Sequence, residues 1–165
     1  IDGSQDRPSD AIDIRLSDGH VQEVGASLSA PDTATVIDAK NSFVMPGLID
    51  AHVHVNAQNA NLKENAALPD AIATVGTMNL MQAMLARGFT TVRDLGGASG
   101  PLRKAMEMAP VQLPRLNICG KALSQTGGHT DQRGPFDDRP VPAWPVTVGA
   151  MGVICDGVPE LTFYI

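Results

Sequence analysis

The sequence has 165 residues, a mass of 17.3 kDa and a net charge of −6, from 12 basic and 18 acidic side chains. Nucleic-acid binding needs a clustered basic face, so this balance argues against nucleic acid as the main partner. An apolar fraction of 43% with 18% charged residues excludes a disordered chain and predicts about one folded domain. No stretch reaches the roughly 18 apolar residues of a membrane span, so no membrane partner is expected.

Residues 1–45 have the pattern of short β-strands joined by tight turns. Apolar residues come in bursts separated by turn-forming residues, at 11–14, 21–24 and 35–37. The dipeptide Asp18-Gly19 between the first two bursts predicts a two-residue hairpin. The sequence begins at Ile1 rather than at a methionine, from which we expect that residues are missing before it.

From residue 46 onwards, strand-like and helix-like segments alternate. The apolar run 48–54 is typical of a strand buried on both faces. Helical periodicity and β-branched runs then alternate, over 69–88, 89–95, 101–109 and 116–119. This order is typical of parallel βαβ units. A polar, glycine-rich loop covers 124–134, and the proline-rich segment 135–145 predicts irregular structure at the surface.

Two of the four histidines, His52 and His54, stand one residue apart at the end of the first predicted parallel strand. A strand has a two-residue period, so both imidazoles leave the same face and converge if that face is interior. Neutral imidazole is the commonest transition-metal ligand. Asp50 lies on the same face, where its carboxylate could orient an imidazole ring. A metal-free pair of histidines on a half-exposed strand is the alternative.

Residues 46–54, PGLIDAHVH, closely resemble the PGxIDxHxH signature of the amidohydrolase superfamily. The resemblance implies an α/β fold in which this segment forms the first strand of a (β/α)8 TIM barrel. It also implies that His52 and His54 are ligands of one or two divalent ions, with zinc as the expected metal. Active sites of such barrels lie at the carboxyl ends of the strands, where the two histidines stand.

Two further segments resemble the same family. Residues 88–97, GFTTVRDLGG, are similar to its second strand and the loop that follows. Residues 124–133, SQTGGHTDQR, are similar to the loop after the third strand in the branch of Xaa-Pro dipeptidases and imidazolonepropionase-like enzymes. That branch usually has GGHGD at this point, so Thr130 replaces the glycine before the aspartate.

The resemblance implies roles for several polar residues. His129 is expected to contact substrate beside the metals, with a loop histidine satisfied by backbone groups as the alternative. Arg133 could pair with a substrate carboxylate through its fork of donors, or be an ordinary solvated arginine. Asp94, at a strand end, joins Asp50 as a candidate for orienting a metal ligand, and a bond to Arg93 or to the backbone is its alternative.

The resemblance also divides the chain into two domains. Residues 1–45 are expected to be part of a flanking β-sandwich, and 46–165 the first three or so βα units of the barrel. A whole barrel takes about 250 residues, so only its N-terminal portion is expected here. Family members complete the site with a bridging lysine, further histidines and an aspartate that serves as general base. Lys121 does not match that lysine, and no catalytic residue is assigned in this chain.

The implied activity is metal-dependent hydrolysis of C–N bonds in small amides or dipeptides, with this chain inactive alone. In that mechanism the metal acts as a Lewis acid and a carboxylate moves the protons. Two alternatives stay open, namely a non-catalytic truncated fragment or assembly piece, and a deaminase or cyclic-amide hydrolase of the same superfamily. A cytoplasmic location is expected, and a homo-oligomer is left open.

Overall fold

The computed structural model describes residues 1, 3–10, 12–40, 42–138, 140 and 147–164. The chain forms two compact units, Ile1–Pro46 and Gly47–Ile165. Within the described ranges, no helix has both the length and the apolar character that crossing a membrane requires.

The first unit contains an antiparallel hairpin of β1 (Asp13–Ser17) and β2 (His20–Gly25). Asp18 and Gly19 connect the strands with φ angles of 52° and 74°. Positive φ at both central residues defines the type I′ turn, whose twist matches that of the flanking strands. The predicted hairpin is therefore confirmed.

The strand expected at 35–37 does not form. The chain from Ala26 to Gly47, where it is described, contains neither helix nor strand. Val36 and Ile37 are 74% and 84% exposed. β-branched residues favour a strand through packing against neighbours on a half-buried sheet, and these two side chains lack that burial. Whether this unit is part of a β-sandwich stays a prediction.

The second unit is built on a three-stranded parallel sheet in the order β3–β4–β5, with two helices as crossover connections. Its elements are β3 (Leu48–Val53), α1 (Leu62–Ala67), α2 (Asp70–Ala86), β4 (Phe89–Asp94), α3 (Gly100–Glu107) and β5 (Arg115–Ile118). The predicted series of three strands and two helices is confirmed. Val53, Asp94 and Ile118 are register partners, so the carboxyl ends of the three strands align.

Local signals begin and end the helices. Asn61 precedes α1, and its Oδ1 accepts a hydrogen bond from the backbone N–H of Glu64 at 3.3 Å. Its Nδ2 in turn donates to Glu64 Oε1 at 2.7 Å. Ser99 caps α3 by accepting from the N–H of Leu102 at 3.3 Å. After α2, Gly88 has a φ of 93°, a conformation that glycine adopts without strain. The sequence reasoning did not predict α1.

The core of this unit lies between the sheet and the helices α2 and α3. Seven buried side chains form it: Val55, Met81, Val92, Ala98, Leu102, Met106 and Leu116. The expectation that β3 is buried on both faces is wrong. Leu48 and Ile49 are 38% and 71% exposed, because β3 is an edge strand of this sheet rather than a central one.

Three more elements follow β5: β6 (Ala122–Ser124), β7 (Gly152–Ile154) and α4 (Val158–Tyr164). β6 and β7 pair in parallel as a separate two-stranded sheet. The sequence reasoning predicted neither of the two strands. In the proline-rich segment, Pro135 and Pro140 lie outside helices and strands as expected, whereas Pro142 and Pro145 fall outside the described residues.

Candidate metal centre

His52 lies in β3, and His54 follows directly after its last residue, Val53. The centroids of the two imidazole rings are 5.5 Å apart and their planes meet at 82°. His52 is exposed and His54 is half-buried. The two-residue period of the strand thus brings both rings together at the carboxyl end of the sheet.

A hydrogen bond fixes the tautomer of His54. Its Nδ1 lies 2.9 Å from the carbonyl oxygen of Gly96, in the loop after β4. A carbonyl oxygen only accepts, so Nδ1 carries a proton, and in the neutral imidazole Nε2 then keeps its lone pair. Metal-binding histidines characteristically donate their second ring N–H to a carbonyl or carboxylate. The ring of His54 therefore has the arrangement that metal ligation needs.

Asp94 organises the backbone around this histidine. Its side chain is completely buried. Oδ1 accepts from the N–H groups of Gly96 at 2.9 Å and Ala98 at 3.1 Å, and Oδ2 accepts from Val55 at 2.8 Å. One carboxylate thus holds both the residue next to His54 and the residue whose carbonyl binds its ring. Asp94 thus acts on the ring of His54 through the backbone rather than by direct contact.

Asp50 makes a different contact. Its Oδ1 accepts a hydrogen bond from the backbone N–H of His52 at 3.0 Å. The carboxylate therefore fixes the main chain at the strand end, and its expected contact with an imidazole ring stays a prediction.

The donor set of His52 and His54 fits a divalent ion such as zinc. Two imidazoles each bound about 2.0–2.1 Å from one ion would have centroids roughly 5 Å apart, close to the observed separation. No group of three or more ligating His, Cys, Asp or Glu side chains occurs among the residues with described coordinates. A catalytic zinc commonly has three protein ligands, so two histidines are fewer ligands than such a site needs.

The loop that carries His129 and Arg133 is held together by charged and polar groups. Arg133 Nη2 lies 2.6 Å from Asp131 Oδ2, and only 15% and 7% of the two side chains are exposed. Arg133 Nε donates to Asp131 Oδ1 at 2.9 Å, and the N–H of Gly127 donates to Oδ2 at 2.8 Å. The hydrogen bonds from Arg133, above all, hold the pKa of Asp131 well below its usual range. The guanidinium thus already has a carboxylate partner in the same loop.

The same loop is tied to the segment after β7. Both the N–H and the hydroxyl of Thr126 donate to the carboxylate of Asp156, the N–H at 2.6 Å. These bonds lower the pKa of Asp156, the side-chain bond having the larger effect. Gly127 has a φ of 71°, whereas Thr130 has no positive φ. Threonine at the position of the usual glycine therefore introduces no backbone strain.

His129 is exposed in this loop. Within the described part of the chain, no hydrogen bond or ring contact joins it to His52 or His54. The structure thus links the two predicted metal ligands to Asp94 and Asp50 by hydrogen bonds, whereas the described contacts of Arg133 lie within its own loop.

Two polar residues to which the sequence reasoning gave no role bind the backbone of residues 147–150. Asn56 is completely buried two residues after His54, and its Nδ2 donates to the carbonyl of Val148 at 2.7 Å. Lys121 Nζ donates to the carbonyls of Thr147, at 2.8 Å, and Ala150. Burial lowers the pKa of Lys121 to about 8, against the opposing effect of nearby carboxylates. The sequence did offer one signal for Asn56, because it is a polar residue that follows the end of an apolar strand segment by only a few positions.

Residues 43–155 match the Amidohydrolase family. Dihydroorotase of Mycobacterium tuberculosis is 32% identical over 120 residues, which are 70% of this chain and 28% of that protein. Dihydroorotase of Geotalea daltonii is 39% identical over 92 residues, covering 56% of this chain and 19% of the relative.

Solved structures show the same relationship. A crystal structure of an amidohydrolase superposes with a TM-score of 0.79 at 47% identity, over 90% of this chain and 37% of that one. A prolidase in complex with N-methylphosphonate-L-proline gives a TM-score of 0.77 at 43% identity, over 87% and 35%. The chain thus spans less than two fifths of each of these four proteins, and by the family match it belongs to the Amidohydrolase family.

Proposed function

We propose that this chain supplies the first two metal ligands of a hydrolase that cleaves C–N bonds in small substrates, with dipeptides as the substrate class. The observation that carries the proposal is the bond from His54 Nδ1 to the carbonyl of Gly96, because it leaves Nε2 ready to bind a metal. His52, with its ring 5.5 Å away, is the second ligand.

The residues of the chain have distinct parts in this proposal. His52 and His54 hold a divalent ion, for which zinc is our candidate. When bound, the ion supplies Lewis acidity toward a substrate carbonyl. Asp94 keeps His54 in its ligating tautomer by fixing the loop of Gly96. Because the general base and further ligands are assigned to no residue here, we expect weak metal binding and no turnover by the chain alone.

The dipeptide proposal rests on the 124–133 loop and on the similarity to prolidase. His129 is proposed to contact the substrate. Arg133 is proposed to bind a substrate carboxylate, for which its planar guanidinium is suited. Asp131 already occupies Nε and Nη2 of Arg133, so an incoming carboxylate shares the guanidinium with Asp131 or displaces it. The prolidase, 43% identical, was solved with a proline derivative bound.

Hydrolysis of a cyclic amide is the second candidate. Relatives named dihydroorotase match this chain at 32% identity over 120 residues. The prolidase is more similar to this chain, with 43% identity against 32%, and its match covers more of the chain, 87% against 70%. We therefore place dipeptides first.

Metal binding by the purified chain tests the first part of the proposal. We expect Co²⁺, added as a spectroscopic probe, to bind with an absorption band that His52→Ala and His54→Ala each abolish. His20→Ala is the matched control, because His20 lies in the hairpin of the first unit. Unchanged Co²⁺ binding in both His52→Ala and His54→Ala would disprove the proposed metal site.

Two chimeras test the substrate class. In each, this chain replaces the matching segment of a relative, the prolidase in one and the dihydroorotase of M. tuberculosis in the other. We expect the prolidase chimera to hydrolyse dipeptides with proline in the second position, and His52→Ala to remove that activity. If only the dihydroorotase chimera is active, and only toward dihydroorotate, the result would favour hydrolysis of a cyclic amide.

A further inference from the structure

Residues Thr147–Met151, which we call the strap, lie against the loops at the carboxyl end of the sheet. Gly149, Ala150 and Met151 are buried. A Cβ atom on Gly149 would lie 1.9 Å from the carbonyl oxygen of Asn65, so the strap approaches α1 at backbone distance. Its further bonds to this unit are Thr147 Oγ1 to Ala66 O at 2.8 Å, Val148 N to Asp70 Oδ1 at 2.8 Å and Ala122 N to Met151 O at 3.1 Å.

Lys121 fastens the strap from the side of β5. Its ammonium group donates to the carbonyls of Thr147, the first residue of the strap, and Ala150, the fourth. The charged groups that face it are the carboxylates of Asp94 and Asp70, and both favour its charged form. A half-buried ammonium that donates to two carbonyls is a strong local constraint, because charge-assisted bonds are the stronger ones.

Asn56 fastens the strap from the side of β3. It is completely buried, and its amide donates to Val148 O, between the two carbonyls that Lys121 binds. Asp94 binds Val55, the residue before Asn56, and His54 directly precedes Val55. The Cα of Gly97 also packs on this amide, since a Cβ there would lie 2.3 Å from Asn56 Oδ1. The strap therefore touches the turn that carries His54.

We propose that Lys121 is a positioning residue for His54. By binding the carbonyls of Thr147 and Ala150, it holds the strap in place, and the strap in turn binds Asn56 in the turn that carries His54. The inference deepens the proposed metal site and rests on it. Lys121 acts on His54 through the strap and Asn56.

The test compares Lys121→Met with the wild-type chain by two readouts. The first is the tautomer of His54 in the metal-free protein, measured by ¹⁵N NMR of the imidazole nitrogens. The second is Co²⁺ affinity. Lys104→Met is the matched control, because Lys104 lies on the exposed face of α3 and pairs with Glu107. Circular dichroism reports whether each variant keeps its secondary structure.

In the wild-type chain we expect a single tautomer with the proton on Nδ1. Lys121→Met is expected to show a mixture of tautomers and a Co²⁺ affinity roughly 3- to 10-fold lower, below the roughly 10- to 100-fold effect of a direct outer-shell partner. Lys121→Arg, which keeps two donors, is expected to restore most of both signals. It also serves as the variant to measure if Lys121→Met fails to fold.

The outcomes separate the two proposals. If Lys121→Met is folded and has the His54 tautomer and Co²⁺ affinity of the wild type, the positioning role is overturned and the metal site stays intact. If Lys121→Met is impaired and Lys121→Arg is equally impaired, the positioning role is also overturned. A wild-type chain that binds no Co²⁺ would refute the proposed function, and the tautomer comparison would then decide the role of Lys121 by itself. An Nε2-protonated His54 in the wild type would overturn both.

Discussion

Asp94 Oδ2 accepts a hydrogen bond of 2.8 Å from the backbone N–H of Val55, 39 residues earlier in the sequence. This bond joins the carboxyl end of β4 to the turn that follows β3. Asp94 also accepts hydrogen bonds from the N–H groups of Gly96 and Ala98. Its carboxylate therefore connects the ends of the two strands.

The first prediction concerns the loss of this carboxylate. Asp94→Asn keeps the shape but has one acceptor oxygen instead of two, and its NH₂ group faces a backbone donor. We expect the free energy of unfolding to fall by about 2–4 kcal/mol, measured by urea denaturation. Asp50→Asn is the control, since Asp50 binds one backbone N–H at a more exposed position. Equal losses in the two variants would contradict the special role of Asp94.

The second prediction concerns the strap. Gly149→Ala places a Cβ against the carbonyl oxygen of Asn65, so backbone must move. We expect a loss of stability above about 2 kcal/mol. Gly134→Ala is the matched control, because a Cβ there meets nothing within 4 Å. It should change stability by less than about 1 kcal/mol. A Gly149→Ala protein as stable as the control would show that the strap is not tightly seated.

The third prediction concerns acid. The pKa of Asp131 is lower in the folded chain than its usual value of about 3.9, so the unfolded chain takes up the proton first as the pH falls. Its contribution to stability is complete above about pH 5 and is lost progressively below pH 4. The difference in Tm between wild type and Asp131→Asn should therefore shrink from pH 6 to pH 2. A difference in Tm that stays constant over this range would contradict the effect of Arg133 on Asp131.

The fourth prediction concerns alkaline pH. Lys121 has a pKa of about 8 in the folded chain and about 10.4 when unfolded. Between these values the unfolded state binds more protons, so the contribution of Lys121 to stability rises with pH. The stability of the wild type relative to Lys121→Met should accordingly increase from pH 7.5 to pH 10.5, measured by urea denaturation. A falling difference would contradict the burial of the ammonium group.

Sequence patterns predicted those parts of the fold that local periodicity determines. The helix α2 and the strands β4 and β5 follow from the spacing of apolar residues, and the meeting of the His52 and His54 rings follows from the two-residue period of a strand. The strand expected at 35–37 had the right residue types, but its side chains are exposed. Residue type alone does not show whether a surface for packing exists.

Contacts between distant segments could not be predicted in the same way. The bond from Asn56 to Val148 spans 92 residues, and that from Lys121 to Ala150 spans 29. Both end on backbone carbonyls, which every residue has, so nothing in the sequence of the strap marks it as their partner. The resemblance to amidohydrolases located the histidines, whereas the reason for their orientation became visible only in the structure.

The hydrogen bonds that set the ring of His54 have a further consequence for how a change elsewhere in the chain reaches that ring. His54, Gly96 and the carboxylate of Asp94 with its three N–H partners all lie between residues 54 and 98. One strand–helix–strand module therefore contains the direct hydrogen bonds to the ring and to its loop. The strap and Lys121 lie outside this module, so under our proposal a change in either one reaches His54 through the contact between the strap and Asn56.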